Sequence, residues 1–243
     1  MNSEFRRCTR CVLDKEGPHS IQFREDGVCS YCDTWDRESR GVSASPEKAG
    51  LQLKALVAEI HKGGAGRSYD SVLGVSGGVD STYAAYQAKQ LGLRPLVVHL
   101  DNGWNSELAV QNIENVCRKL GFDLYTHVVD WAEFKDLHVA YLRASVIDVE
   151  VPTDHAITAL LVHIAVKRRV RFVLTGITRA TEGILPCEWV WDKMDLLNLQ
   201  AIHRRYGSRP LLTFPQLGFF RYTMYQQLWG VRWVNLLDYI VYD

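Results

Sequence analysis

The run Ser76-Gly77-Gly78-Val79-Asp80-Ser81 constrains this chain more than any other stretch. It follows the apolar segment Val72-Leu73-Gly74-Val75 and leads into Thr82–Leu91, which reads as a helix. A buried strand that exits through two glycines can turn tightly and bring its backbone N–H groups against an anion. A helix beginning there adds unpaired N–H donors and the positive end of its dipole. Ser76, Ser81 and Thr82 add hydroxyls. The pattern describes a phosphate cradle, but not the G-x-x-x-x-G-K-[ST] loop, whose spacing and lysine are missing. A bare Gly-Gly would be an ordinary turn; the two serines, the aspartate and the strand–helix context favour the cradle.

Around that turn, strand and helix patterns alternate. Ser45-Pro46-Glu47 is a good helix start, and its helix continues through Leu53, Leu56, Val57 and Ile60 to Gly63-Gly64. Buried strands are expected at 71–75, 95–100, 124–129 and 171–174, with helices at 82–91, 106–120, 131–145 and 154–169. This alternation predicts an α/β fold, a Rossmann-like parallel sheet with helices on both faces. Beyond about residue 185 the pattern turns mostly helical and rich in aromatics, more suited to core than to a ligand platform.

Ligands of an open parallel sheet bind outside the carboxyl ends of its strands. That rule gathers the Ser76 turn, Asp101-Asn102-Gly103, and Thr175-Gly176 with Thr178, Thr181 and Glu182 at one rim. Such polar and acidic groups fit ATP with Mg²⁺, which takes carboxylate and phosphate oxygens and keeps its waters. Asp80 is the preferred carboxylate; its alternative role, stabilising the helix N-terminus by charge, is compatible.

Four of the six cysteines fall as Cys8-x2-Cys11 and Cys29-x2-Cys32, seventeen residues apart. That spacing suits two knuckles supplying four thiolates to a tetrahedral zinc ion. The loop between them reads as a small ribbon with a short strand at Ile21-Gln22-Phe23 and a turn at Glu25-Asp26-Gly27. So small a module lacks the apolar surface to fold unaided, so the metal would be structural. Residues 1–40 are therefore expected to form a zinc-ribbon module, 33–45 its polar link, and 45–243 the main domain.

Lys and Arg (28) balance Asp and Glu (28), so no overall basic field gathers nucleic acid. No apolar run approaches the ~20 residues that span a bilayer. With a polar N-terminus in addition, a cytoplasmic protein without nucleic acid or membrane insertion is expected.

Taken together, the S-G-G-x-D-S turn resembles the PP-loop of the ATP pyrophosphatases, which cleave ATP between its α and β phosphates. The longer set of motifs resembles the N-acetyl sugar amidotransferases of surface-polysaccharide and lipopolysaccharide (O-antigen) biosynthesis. Those motifs are the two cysteine pairs, Gly74–Ser81, Asp101-Asn102-Gly103-Trp104-Asn105, Pro152-Thr153-Asp154-His155, Thr175-Gly176, Ala180-Thr181-Glu182-Gly183 and Asn198–Gly207. The resemblance implies conversion of an acetamido group on a nucleotide-linked sugar into an acetamidino group. ATP would adenylate the amide oxygen, releasing pyrophosphate, and ammonia would then displace AMP.

On that resemblance, Ser76, Gly77, Gly78, Val79, Asp80, Ser81 and Thr82 grip the pyrophosphate moiety. Val98 and His99 contact adenine through their backbone, and Asp101, Thr175 and Gly176 complete the ATP site. Asp80, Asp154 and Glu182 are the candidate catalytic carboxylates; His155 and Thr181 are candidates for the acceptor side. Helix-start capping is the alternative role for Asp154 and His155. Neither Cys117 nor Cys187 sits in a nucleophile elbow; the resemblance implies that ammonia comes from a separate glutaminase. The resemblance implies that this partner pairs with a cyclase-like subunit, as in histidine biosynthesis. Members of the family usually continue beyond the point where this sequence stops. Two other readings remain: a tRNA sulfur-transfer enzyme, and a non-catalytic protein that binds ATP or the partner. The former usually has a lysine where this loop has Val79.

Overall fold

A computed structural model describes residues 7–43, 46–178, 182 and 184–240. Its centre is a five-stranded, wholly parallel sheet: β1 Ser71–Gly74, β2 Pro95–Asp101, β3 Leu124–Val128, β4 Phe172–Thr175 and β5 Arg232–Asn235. The spatial order is β3-β2-β1-β4-β5. The chain builds outward from β1 in one direction, then returns to build on its other side. That reversal opens a crevice beyond the carboxyl ends of β1 and β4.

Helices cover both faces, and the strand period of two decides which residue goes where. Val72, Val98 and Val173 pack against α5 (Trp131–Ala144) and α6 (Val151–Arg168) through Phe134, Leu137, Leu160 and Leu161. Leu73, Val97 and Leu174 face α2 (Pro46–Gly63), α3 (Val79–Gln90) and α4 (Glu107–Leu120) through Leu56, Ile60, Ala84, Ala88 and Ile113. Ala84, Ala85 and Ala88 are completely buried. Side chains this small let α3 lie close to the sheet, with its first turn just above the end of β1.

Four expectations are corrected. The polar 33–45 stretch is not a plain link: α1 (Ser30–Ser43) springs directly from the second cysteine knuckle. Ion pairs from Arg10 to Asp36 (2.5 Å) and from Arg24 to Asp33 (3.1 Å) tie it back to the ribbon. The expected strand at 21–23 is a single bridge, Phe23 to Cys29, beside another from Arg7 to Asp14. Helix α6 starts at Val151, with Pro152 in its first turn where no N–H is needed, so Asp154 and His155 lie inside it and cap nothing. The C-terminal part holds α7 (Leu196–Tyr206) and α8 (Phe219–Leu228), but it also returns β5 to the sheet beside β4. Four residues with only Val234 buried give too little alternation to stand out among aromatics. The expected N-cap Ser45 lies outside the described residues.

The C-terminal part is held down by carboxylates of α5. Asp136 accepts from the Ser208 hydroxyl (2.6 Å) and from the Ser208 and Arg209 amides (2.8 and 3.0 Å), with His203 Nε2 at 3.3 Å. Burial works against its ionisation, but those donors outweigh it and hold its pKa down at about 2. Buried Glu133 takes the amides of Thr213 and Phe214 in the same way.

The end of β4 and the start of α3 approach each other closely. A Cβ on Gly176 would stand 2.7 Å from both N and Cα of Ser81. Both are backbone atoms that cannot rotate away. Gly176→Ala should therefore lower stability by about 2 kcal/mol, the ordinary cost of overpacking a dense region. Urea unfolding checks this; an unchanged midpoint would mean that the two segments do not meet.

Candidate functional site

Strand β1 ends at Gly74, and Val75 makes one more bond, its amide to the Val98 carbonyl at 3.0 Å. The chain then turns through Ser76-Gly77-Gly78 into α3. Gly77 has φ +79°, and a Cβ there would stand 2.5 Å from the Ala109 carbonyl oxygen, so only glycine fits. Serines staple the turn from inside: Ser81 Oγ accepts from the Ser76 amide and donates to the Gly78 carbonyl, both at 3.2 Å. Ser81 is buried. Its hydroxyl thus shapes the cradle.

The N-cap of α3 is Gly78, and no side chain bonds back to the helix. Helices α4, α5 and α7 are instead capped by Ser106, Asp130 and Asp195. The first turn of α3, without a side-chain cap, thus lies in the wall of a cleft of about 630 Å³. An uncapped N-terminus at the topological reversal of a parallel sheet can hold an anion through backbone donors and its dipole.

The cleft brings together Ser76, Gly78, Val79, Asp80 and Ser81 from the turn, Val98 and His99 from β2, and Thr175 and Gly176 from β4. Asp154 from α6 and Glu182 complete the set of expected residues there. His99 is buried, and its Nδ1 donates to the Val75 carbonyl at 3.1 Å. Its Nε2 is buried and has no partner among the described residues. Thr175 Oγ1 donates to Asn235 Oδ1 (3.0 Å), so β5 steadies the rim of β4. Glu182 lies at the mouth. Its partial burial, then the charges of Asp80 and Asp154, push its carboxyl above the usual range, so it can hold or take up a proton.

Several expected residues lie elsewhere. Gly77 and Thr82 are not in the cleft wall; Gly77 serves the turn. Asp101 shapes the next loop, accepting from the Gly103 amide (3.0 Å) and Asn105 Nδ2 (3.2 Å), while Asn102 and Asn105 reach the cleft. His155 is wholly buried: Nδ1 donates to the Lys193 carbonyl (2.8 Å) and Nε2 accepts from the Leu217 amide (3.1 Å). Burial pushes its pKa down and keeps it neutral, so it is a support rather than an acceptor contact. Thr181 lies outside the described residues. Lys193 and Trp233 also line the cleft. Neither sits in a recognisable motif; one clue to Lys193 was the density of aspartates around it.

The four N-terminal cysteines converge, with their sulfurs all within 4.8 Å of one another. Cys8 and Cys32 are 3.9 Å apart, and Cys11 and Cys29 3.6 Å. A tetrahedral zinc with Zn–S of about 2.3 Å has edges of about 3.8 Å, so the set fits that ion. Amides of Arg10 and Cys29 point at Cys8 Sγ (3.4 and 3.3 Å), as donors to a thiolate would. The ribbon also touches the segment after β4: Ser20 Oγ and Tyr31 OH both donate to Glu188, at 2.7 and 3.1 Å. No helix among the described residues is long and apolar enough to cross a membrane.

No protein-family model matches the chain. No curated protein matches it either. Solved structures that resemble it in shape include the ammonia-dependent NAD synthetase of Campylobacter jejuni in complex with nitrate. That structure is 13% identical, with 66% of this chain and 72% of that one covered and a TM-score of 0.43. The NMN synthetase of Francisella tularensis is 16% identical over 77% and 72% of the two chains, TM-score 0.44. A predicted subunit of tRNA methyltransferase from Methanocaldococcus jannaschii is 17% identical over 66% and 74%, TM-score 0.34.

The purified protein should carry one zinc per chain by elemental analysis, and Cys29→Ser should lose most of it. A folded ribbon without metal, or iron in place of zinc, would contradict the assignment.

Proposed function

We propose that this chain is an ATP-dependent, AMP-forming enzyme of the PP-loop superfamily. Its specific reaction is conversion of an acetamido group on a nucleotide-linked sugar into an acetamidino group. The observation that carries the reading is the uncapped start of α3 behind a glycine turn, facing a cleft that also gathers Asp80, Asp154 and Glu182. The motif resemblance described above supplies the acceptor class.

An amide oxygen is a poor leaving group, so it must first be activated. The amide oxygen attacks the α-phosphorus of ATP, and pyrophosphate leaves with the electron pair of the α–β bridge. Backbone donors in the first turn of α3 hold the departing pyrophosphate, and positioning and charge stabilisation do most of the work. Mg²⁺, when bound with ATP, would neutralise phosphate charge; Asp80 and Asp154 are the residues that fit it. The acceptor lies on the Asp154–Glu182 side of the cleft. Ammonia then attacks the imidate carbon, AMP leaves with the oxygen, and Glu182 is placed to take the proton that the nitrogen loses.

The two cysteines outside the ribbon supply no glutaminase. Cys117 is buried, and burial pushes its thiol pKa up. Cys187 is exposed, and its thiol meets the Glu188 carboxylate at 3.4 Å rather than a base that would activate it as a nucleophile. Ammonia therefore comes from a partner glutaminase with its cyclase-like subunit, in the cytoplasm.

The reading is tested by incubating candidate nucleotide-sugars with ATP, Mg²⁺ and ammonium, followed by mass spectrometry. The expected product is lighter by the difference between O and NH, with AMP and pyrophosphate released. ADP as the nucleotide product, or glutamine turnover by the isolated chain, would overturn it.

A further inference from the structure

Among the described residues, Lys193 is the only lysine or arginine that lines the cleft. The same cleft is lined by three carboxylates, Asp80, Asp154 and Glu182. A polyphosphate ligand needs positive charge beyond backbone dipoles, and among the described residues of the cleft wall this side chain supplies it.

Lys193 is held at both ends. Its Nζ lies 2.6 Å from Asp148 Oδ2 and 3.0 Å from Asp154 Oδ2, which occupy two of its three N–H donors. Its carbonyl accepts from His155, which is itself fixed by the Leu217 amide. Adjacent residues in the first turns of α6 thus grip one residue by its ammonium and by its backbone. Burial alone would lower its pKa, but the two aspartates outweigh that and push it up, so the ammonium stays charged.

The placement of α6 gives the clamp its target. Leu161 of α6 packs on Gly74, the last residue of β1. Asp154 lies two turns nearer the helix start, about 10 Å further along the axis at 1.5 Å per residue. Because α6 runs antiparallel to the strands, this puts the clamp above the rim, across from the glycine turn. Val98 and His99 of β2 line the opposite side of the cleft, the side expected to meet the nucleoside. A phosphate joining that side to the turn passes the clamp.

We propose that Lys193 binds the α-phosphate of the nucleotide, with Asp148, Asp154 and His155 as the positioning residues that aim its third N–H into the cleft. This rests on the nucleotide reading above and adds the group that meets the charge developing at phosphorus.

Calorimetric titration with AMP and, separately, with Mg²⁺-pyrophosphate tests it. Lys193→Met would strand the buried Asp148 carboxylate, so the comparison is between Asp148→Asn and the double variant K193M/D148N. AMP affinity should fall at least tenfold on loss of the ammonium, as for other charge-assisted contacts, while pyrophosphate affinity stays within about twofold. Equal AMP affinity in both variants, or an equal fall for both ligands, overturns the assignment while leaving the nucleotide reading intact. Failure of the wild-type chain to bind either ligand overturns both. A second measurement needs no variant: AMP should slow acetylation of Lys193 in the native protein, followed by mass spectrometry, and pyrophosphate should not. No protection by AMP overturns the proposal.

Discussion

The structure depends on how closely three pieces of backbone meet at one point: the exit of β1, the first turn of α3 and the end of β4. No side chain fills the space between Gly176 and Ser81, and none fits at Gly77 against α4. Because these contacts are backbone on backbone, they fix the direction of the α3 N-terminus without a side-chain cap. Serine hydroxyls that might have capped the helix are turned inward to staple the loop instead.

Side chains supply what backbone cannot. The carboxylates converge from three separate places, α3, α6 and the segment after β4, and the raised pKa of Glu182 reflects their mutual repulsion together with burial. The ammonium of Lys193, paired with Asp154 and Asp148, offsets part of that charge. The ribbon bears on the same region through Glu188, six residues beyond Glu182 in the chain, so the metal module and the cleft share one connecting segment.

Much of this was legible in residue order because local rules governed it. The strand–glycine–helix unit, the helix expected at 106–120 and the paired cysteines are all short-range signals. What was hidden depends on tertiary partners. β5 is a strand only because β4 offers an edge, and α1 is a helix anchored by ion pairs to the ribbon. His155 read as an acceptor-side candidate or a helix-start cap, yet its bonds are to Lys193 and Leu217, 38 and 62 residues away. Lys193 itself has no motif, since what makes it notable is two aspartates brought in by folding.

The most direct test is a crystal structure with a slowly hydrolysed ATP analogue and Mg²⁺. The β- and γ-phosphates should rest on the backbone N–H groups between Gly77 and Ser81, with the α-phosphate turned toward α6. A triphosphate seated anywhere else, or one reversed so that its γ-phosphate alone meets the reacting side of the cleft, would contradict the account.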